Sequence, residues 1–122
     1  VLPWAPVTGG TEWIVDALGC DPARLRDAAA LTRLCDGVVA ALGLTVIGQA
    51  QVHRFGGPGG VPALYLLAES HLACHTYPES GVATFNLYCC RERVAVDWPA
   101  LLGEALAADQ VTVTTVRRGG GA

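Results

Sequence analysis

Residues 82–90 alternate between apolar and polar side chains. The apolar set is Ala83, Phe85, Leu87 and Cys89, and the other set is Thr84, Asn86, Tyr88 and Cys90. Because successive side chains of a β-strand point to opposite faces, this pattern predicts a strand with one buried and one open face. A sheet of such strands needs cover on one side only. The alternation also separates two neighbouring cysteines, so that Cys90 is the candidate for chemistry and Cys89 a small buried hydrophobe.

Two segments carry helix signals. Asp21 can cap the free backbone N–H groups of a helix, and Pro22 suits its first position. Apolar side chains then recur at helical spacing, and Gly43 provides the stop, which predicts a helix over 22–42. Asp97-Trp98-Pro99 opens a second predicted helix that runs through about Ala108.

The remaining segments favour strands. They are residues 11–18, 44–55, 61–67, 71–77, 82–90 and 110–116, with a flexible glycine loop at 56–60 and a turn at 78–81. The order of strand, helix, a group of strands, helix and strand is typical of the α+β class. We therefore expect a single domain over 1–122, a two-layer α/β sandwich whose antiparallel sheet carries two helices on one face.

The composition excludes several classes of function. The 122 residues have a formal net charge of −3 and contain no lysine. Without lysine there is neither a P-loop nor an internal Schiff base to pyridoxal phosphate. If the protein reacts with amines through an imine, the carbonyl group must come from another source. The scattered arginines argue against nucleic-acid binding, and no apolar run approaches the ~20 residues of a membrane span.

The five cysteines form no disulfide framework, because their number is odd and their spacings do not repeat. Free thiols in a reducing, cytoplasmic compartment are the expectation. A zinc site would have to use His71, His75, Cys74, Cys89 and Cys90. That set lacks a paired C-x-x-C, and we expect no metal.

The reactive side chains are densest between Glu69 and Glu79, in the run ESHLACHTYPE. A serine hydrolase is one interpretation, but the chain has no G-x-S-x-G elbow. A strand with a few polar side chains on its solvent face is the ordinary alternative.

The string AESHLACHTYPESG, followed by NLYCC, resembles the processing and active-site segment of the bacterial and archaeal S-adenosylmethionine decarboxylases, whose usual form is ESHL-x-x-H-T-[WY]-P-E. The segment EWIVDALGCDPARL resembles the first strand and helix entry of that family. The resemblance extends over residues 11–117 in order and length, well beyond a short motif.

The resemblance implies a proenzyme that cleaves itself between Glu69 and Ser70 into chains 1–69 and 70–122. Ser70 would become a covalent pyruvoyl group, whose carbonyl replaces pyridoxal phosphate in a decarboxylation. The implied substrate is S-adenosylmethionine, and the product would be the aminopropyl donor for spermidine synthesis. The family also implies a homodimer of processed protomers.

The same resemblance implies roles for individual residues. His75 would serve processing as the base, and Cys90 would return a proton to the decarboxylated carbon. Phe55 would stack on the adenine ring, while Tyr77 and Glu79 would contact the substrate. Without the resemblance, Phe55 would be assigned to the core and Glu79 to solvent.

The sequence departs from the family pattern at several places. Pro62 stands where a serine usually assists processing, Asn86 stands where an aspartate is common, and the loop at 56–60 is one residue longer. These departures leave two alternatives open. One is the same pyruvoyl chemistry on arginine or ornithine, and the other is an unprocessed, non-catalytic homologue that binds a ligand or a partner.

Overall fold

The computed structural model describes residues 10–90 and 95–119, which form one sheet with helices packed on it. The strands are β1 (Gly10–Leu18), β2 (Gln51–Val52), β3 (Ala63–Leu67), β4 (Ser70–Tyr77), β5 (Val82–Cys89) and β6 (Gln110–Arg118). The helices are α1 (Pro22–Leu25), α2 (Ala28–Ala41) and α3 (Trp98–Leu106). The strand order is β2-β3-β4-β5-β1-β6, and every neighbouring pair is antiparallel.

The core lies between the helices and one face of the sheet. Helix residues such as Leu31, Trp98 and Leu102 are buried in the same cluster as the strand residues Tyr65 and Phe85. The Phe85 and Trp98 rings lie 5.9 Å apart between centroids. The opposite face, which we call the open face, exposes Ile14, Leu64, Leu66, Tyr77 and Val116. The predicted α+β sandwich with helices on one face is therefore confirmed.

The helix predicted over 22–42 is divided into two. Asp21 caps α1 by accepting from the Ala23 N–H, and Asp27 caps α2 by accepting from the Ala30 N–H. A second capping aspartate inside the segment starts a new helix, because its side chain satisfies backbone donors that a continuous helix would bond internally. The helix predicted from Trp98 ends at Leu106, since Ala107 adopts a left-handed conformation.

The strand predicted over 44–55 is mostly wrong. Only Gln51–Val52 pairs with β3 as a strand, while Val46 forms an isolated bridge to Leu67. Between these two contacts Gly48 has a φ of 71°, a left-handed conformation that a continuous strand does not allow. The chain therefore touches the edge of the sheet twice.

The buried hydroxyl of Thr76 links β4 to the helical layer. Thr76 Oγ1 accepts from the Val61 N–H at 2.8 Å and donates to the Leu25 carbonyl at 2.7 Å. The backbone is equally tight here, because a Cβ added at Gly60 would lie 1.9 Å from the Thr76 carbonyl oxygen. The threonine thus connects α1, the glycine loop and β4.

We expect Thr76→Val to destabilise the fold by about 2 to 4 kcal/mol, because it leaves the Val61 N–H and the Leu25 carbonyl buried without partners. The free energy of unfolding in urea measures this loss. Thr112→Val, at an exposed position of β6, is the matched control and should stay within about 0.5 kcal/mol of the parent. Equal effects at the two positions would contradict this account of Thr76.

Candidate active site

The turn between β3 and β4 holds Glu69 in a strained backbone conformation. Leu67 pairs with Ser70, so only Ala68 and Glu69 form the connection. Glu69 has a φ of 64°, in the left-handed region that costs a residue other than glycine about 1 to 2 kcal/mol. Strain of this kind in a non-glycine residue is characteristic of functional sites. Here it lies directly at the Glu69–Ser70 peptide bond.

The carbonyl of that strained residue is held by the end of β5. The Cys90 backbone N–H donates to the Glu69 carbonyl oxygen at 3.1 Å. Such a donor polarises a carbonyl and stabilises the negative charge that develops when a nucleophile attacks it. The geometry therefore favours addition at the Glu69 carbonyl carbon.

The Ser70 hydroxyl is buried beside this carbonyl. The side chain is 7% exposed, and its Oγ has no hydrogen-bond partner among the described residues. An unpartnered buried hydroxyl costs free energy, and this one lies next to the strained peptide bond. Ser70 is the only serine in the ESHL run and pairs in register with Cys89.

The two neighbouring cysteines differ as the alternation predicts. Cys89 is 1% exposed, on the core face, whereas Cys90 is partly exposed at the end of β5. No disulfide joins any of the five cysteines, all of which lie in the described residues. Of these, only Cys90 is both accessible and in backbone contact with Glu69.

The other residues singled out from the sequence lie at the far end of β4. His75 and Tyr77 are exposed on the open face with their ring centroids 6.4 Å apart, and Glu79 follows in an exposed 3-10 turn. Phe55 is 54% exposed, and its ring contacts His53 edge-on at 4.8 Å. Phe55 is therefore not a core residue.

A cleft of about 550 Å3 opens on the sheet at this end. Its lining includes His53, His75 and Pro62, and the remaining residues are Ala50, Gln51, Val52, Ala63, Leu64 and Ala73. None of the lining residues is an acid. Pro62 stands where the family usually has a serine that assists processing. It lines the same cleft as His75, the predicted processing base.

The structure does not bring Ser70 and His75 together within one chain. Ser70 and His75 are five residues apart on one strand, a separation of about 16 Å. Their side chains also point to opposite faces, since Ser70 follows the buried alternation of β4 and His75 the exposed one. We call Glu69, Ser70 and Cys90 the turn group. We call Phe55, His75, Tyr77 and Glu79 the cleft group, of which His75 alone lines the cleft itself.

Asn86, which stands where an aspartate is common, lies beside a carboxylate of the neighbouring strand. Its side-chain amide donates at 2.5 Å to Glu12 of β1, a carboxylate that the sequence analysis did not single out. Glu12 also forms an ion pair with Arg118. The Asn86 hydrogen bond and Arg118 lower the Glu12 pKa, although partial burial opposes them.

Within residues 10–90 and 95–119, no three His, Cys, Asp or Glu side chains are grouped so that they could hold a metal ion. In the same part of the chain, no helix has the length and apolar character that crossing a membrane requires.

The fold is a two-layer α+β sandwich, and its candidate site combines the strained Glu69 with a backbone donor at the Glu69 carbonyl. A family model described as S-adenosylmethionine decarboxylase matches residues 11–119. The S-adenosylmethionine decarboxylase proenzyme of Clostridium tetani is 34% identical over 112 residues, which are 90% of this chain and 86% of that protein. That of Methanococcus vannielii is 33% identical over 111 residues, covering 90% and 89%.

A solved structure gives the same result. The crystal structure of the adenosylmethionine decarboxylase from Aquifex aeolicus superposes with a TM-score of 0.74 at 25% identity, over 94% of this chain and 93% of that one. The chain belongs to the S-adenosylmethionine decarboxylase family, a family of pyruvoyl-type enzymes.

The exposure of the thiols gives a direct test of the turn group. Under native conditions iodoacetamide should alkylate Cys90 well before the four buried cysteines, because only its thiol is partly exposed. Peptide mapping by mass spectrometry after brief labelling measures the modified positions. Cys90→Ala should remove the early label, and Cys89→Ala should not. Early labelling at Cys89 would refute this assignment of the two faces.

Proposed function

We propose that this chain is a self-processing proenzyme that yields a pyruvoyl-dependent decarboxylase of S-adenosylmethionine. The observation that carries the proposal is the Glu69–Ser70 junction. There a strained residue, a polarised carbonyl and an unpartnered hydroxyl lie at one peptide bond. The product, decarboxylated S-adenosylmethionine, would supply aminopropyl groups to spermidine synthesis.

Self-cleavage would begin at the Glu69 carbonyl. Ser70 Oγ adds to the carbonyl carbon, the C–N bond breaks, and the peptide becomes an ester with a free amine on residue 70. Removal of the Ser70 α-proton expels the Glu69 carboxylate, and hydrolysis of the remaining enamine releases ammonia and leaves a pyruvoyl group. The Cys90 N–H supports the first step, because it already donates to the oxygen that becomes negative.

The surroundings of position 70 are compatible with a pyruvoyl group. The Ser70 hydroxyl makes no hydrogen bond among the described residues, so its departure with the Glu69 carboxylate forfeits none there. When present, the pyruvoyl carbonyl would condense with the substrate's amine and accept the electrons released with CO2. The strand pairs Leu67–Ser70 and Ser70–Cys89 would fix its position.

Cys90 is suited to return a proton to the substrate carbon. Its backbone lies against Glu69, its thiol is partly exposed, and it continues the open-face alternation of Asn86 and Tyr88. A thiol at this place can donate to a carbon held at residue 70. Cys89 pairs in register with Ser70 on the core face, but its thiol is only 1% exposed and is closed to a substrate.

The cleft group supports S-adenosylmethionine as the substrate. Phe55 and Tyr77 present exposed aromatic faces, which suit both an adenine ring and a sulfonium cation. Glu79 adds an exposed carboxylate beyond them. The cleft lining contains no acid to pair with a guanidinium or a second ammonium group. Arginine or ornithine is therefore not favoured.

The active enzyme would be a homodimer in which each site uses both groups. Within one chain the turn group and the cleft group are separated by about 16 Å and by the thickness of the sheet. The open face also exposes apolar side chains on β3, Leu64 at 50% and Leu66 at 58%. A second copy packed on that face would cover them, and its His75 would supply the base that this chain's own His75 is too distant from Ser70 to supply.

The free thiols support a place in the reducing cytoplasm. None of the five cysteines, all of which lie in the described part of the chain, forms a disulfide, and four of them are buried in the core. This is the usual state of cysteine in a reducing compartment.

The first test is the mass of the purified chain under denaturing conditions, together with CO2 release from carboxyl-labelled S-adenosylmethionine. We expect fragments 1–69 and 70–122, the second blocked by pyruvate, and release of labelled CO2. Ser70→Ala should abolish cleavage and activity together, because it removes the attacking oxygen and the pyruvoyl precursor. Parallel assays with arginine and ornithine should show no activity. An intact, inactive parent chain would favour a non-catalytic homologue.

Complementation between two inactive variants tests the shared site. Ser70→Ala lacks the nucleophile and His75→Ala lacks the base, so neither should cleave alone. In mixed dimers, Ser70 of one copy meets the partner's His75, and the His75→Ala chain should be cleaved. Co-expression with different tags and intact-mass analysis of each chain measures this. Cleavage of His75→Ala on its own would contradict the processing role of His75, and no cleavage in verified mixed dimers would contradict the shared site.

A further inference from the structure

Four strands carry a row of interacting side chains across the open face, one step inward from the turn group. His71 pairs in register with Tyr88, and Tyr88 pairs with Glu12. The His71 and Tyr88 ring centroids are 5.5 Å apart, and the Arg118 guanidinium lies 5.5 Å from the Tyr88 centroid. The row therefore runs from β4 through β5 and β1 to β6.

The Glu12 carboxylate holds this row together. One oxygen accepts from the Asn86 amide at 2.5 Å, and the other is paired with Arg118. The side chain is only 17% exposed. Hydrogen bonds to a partly buried charge are stronger and more directional than those in water, so this carboxylate fixes both of its partners.

The row connects directly to the reacting residues. His71 follows Ser70 in β4, and Tyr88 lies two residues before Cys90 at the end of β5. Arg118, which Glu12 orients, packs over the Tyr88 ring. A displacement of Tyr88 would therefore move the Cys90 N–H that donates to Glu69.

We propose that Glu12 is a positioning residue, which through Asn86, Arg118 and Tyr88 holds the strand ends bearing Ser70 and Cys90. This inference rests on the proposed self-cleavage. It differs from a purely stabilising ion pair, which would change the unfolding transition and leave the native turn group as it is. Reactions at the turn group distinguish the two roles, because a displacement of about 1 Å can slow a positioned reaction greatly.

An exchange of acid and amide provides the test. Glu12→Gln should slow self-cleavage about tenfold or more, since Arg118 loses its charged partner. Asn86→Asp should also slow it, because two carboxylates would then share one hydrogen-bonding site. The double variant Glu12→Gln/Asn86→Asp again has one acid and one amide and should recover most of the rate. Glu104→Gln, on an exposed position of α3, is the control for an equal chemical change and should cleave like the parent.

A second readout does not depend on cleavage. In the Ser70→Ala chain, adding Glu12→Gln should raise the rate of Cys90 alkylation several-fold, because the end of β5 is held less firmly. A parent-like cleavage rate in Glu12→Gln, a double variant slower than either single one, or unchanged Cys90 alkylation would overturn the proposal. If the parent itself fails to cleave, the proposed function fails, and the alkylation rate still decides whether Glu12 positions the turn group.

Discussion

The hydrogen bond from the Cys90 N–H to the Glu69 carbonyl is the contact on which the proposed chemistry depends. It joins the end of β5 to the turn between β3 and β4, and it holds the carbonyl of a residue in a left-handed conformation. The same contact places Cys90 at the Glu69–Ser70 peptide bond. One backbone donor therefore serves two proposed events, the attack on Glu69 and the later protonation beside residue 70. The strained turn persists because long antiparallel pairing on both sides of β4 determines where its ends must lie.

Local patterns in the sequence predicted local structure well. The alternation in β5 assigned Cys89 to the core and Cys90 to the open end, as the structure shows. Prediction from sequence patterns failed where a single aspartate or glycine overrides the pattern. Asp27 divides the first helix by capping α2, and Gly48 turns the chain away from the sheet between two apolar runs. Both exceptions are visible as residue types, but only the surrounding packing decides whether a second cap or a left-handed glycine is used.

The arrangement of the candidate site was harder to predict. Motif residues that are close in sequence, such as Ser70 and His75, point to opposite faces of β4. The alternation already applied to the cysteines contains this information, so the division into two groups could have been predicted. The partnership of Asn86 with Glu12 could not, because it requires β1 to lie beside β5. That adjacency joins residues 74 positions apart and is set by packing of the whole sheet.

The order of the strands has a consequence for the cleaved molecule. Residues 1–69 contribute β1, β2 and β3, and residues 70–122 contribute β4, β5 and β6. In the order β2-β3-β4-β5-β1-β6, three of the five strand boundaries join the two products, and β1 lies between two strands of the other chain. The fragments would thus be interwoven like the halves of an obligate heterodimer. Before cleavage, folding is an intramolecular event. Afterwards, the same sheet could be rebuilt only by association of two chains. Cleavage would therefore make the protein's persistence depend on a slow unfolding rate, that is, on kinetic stability.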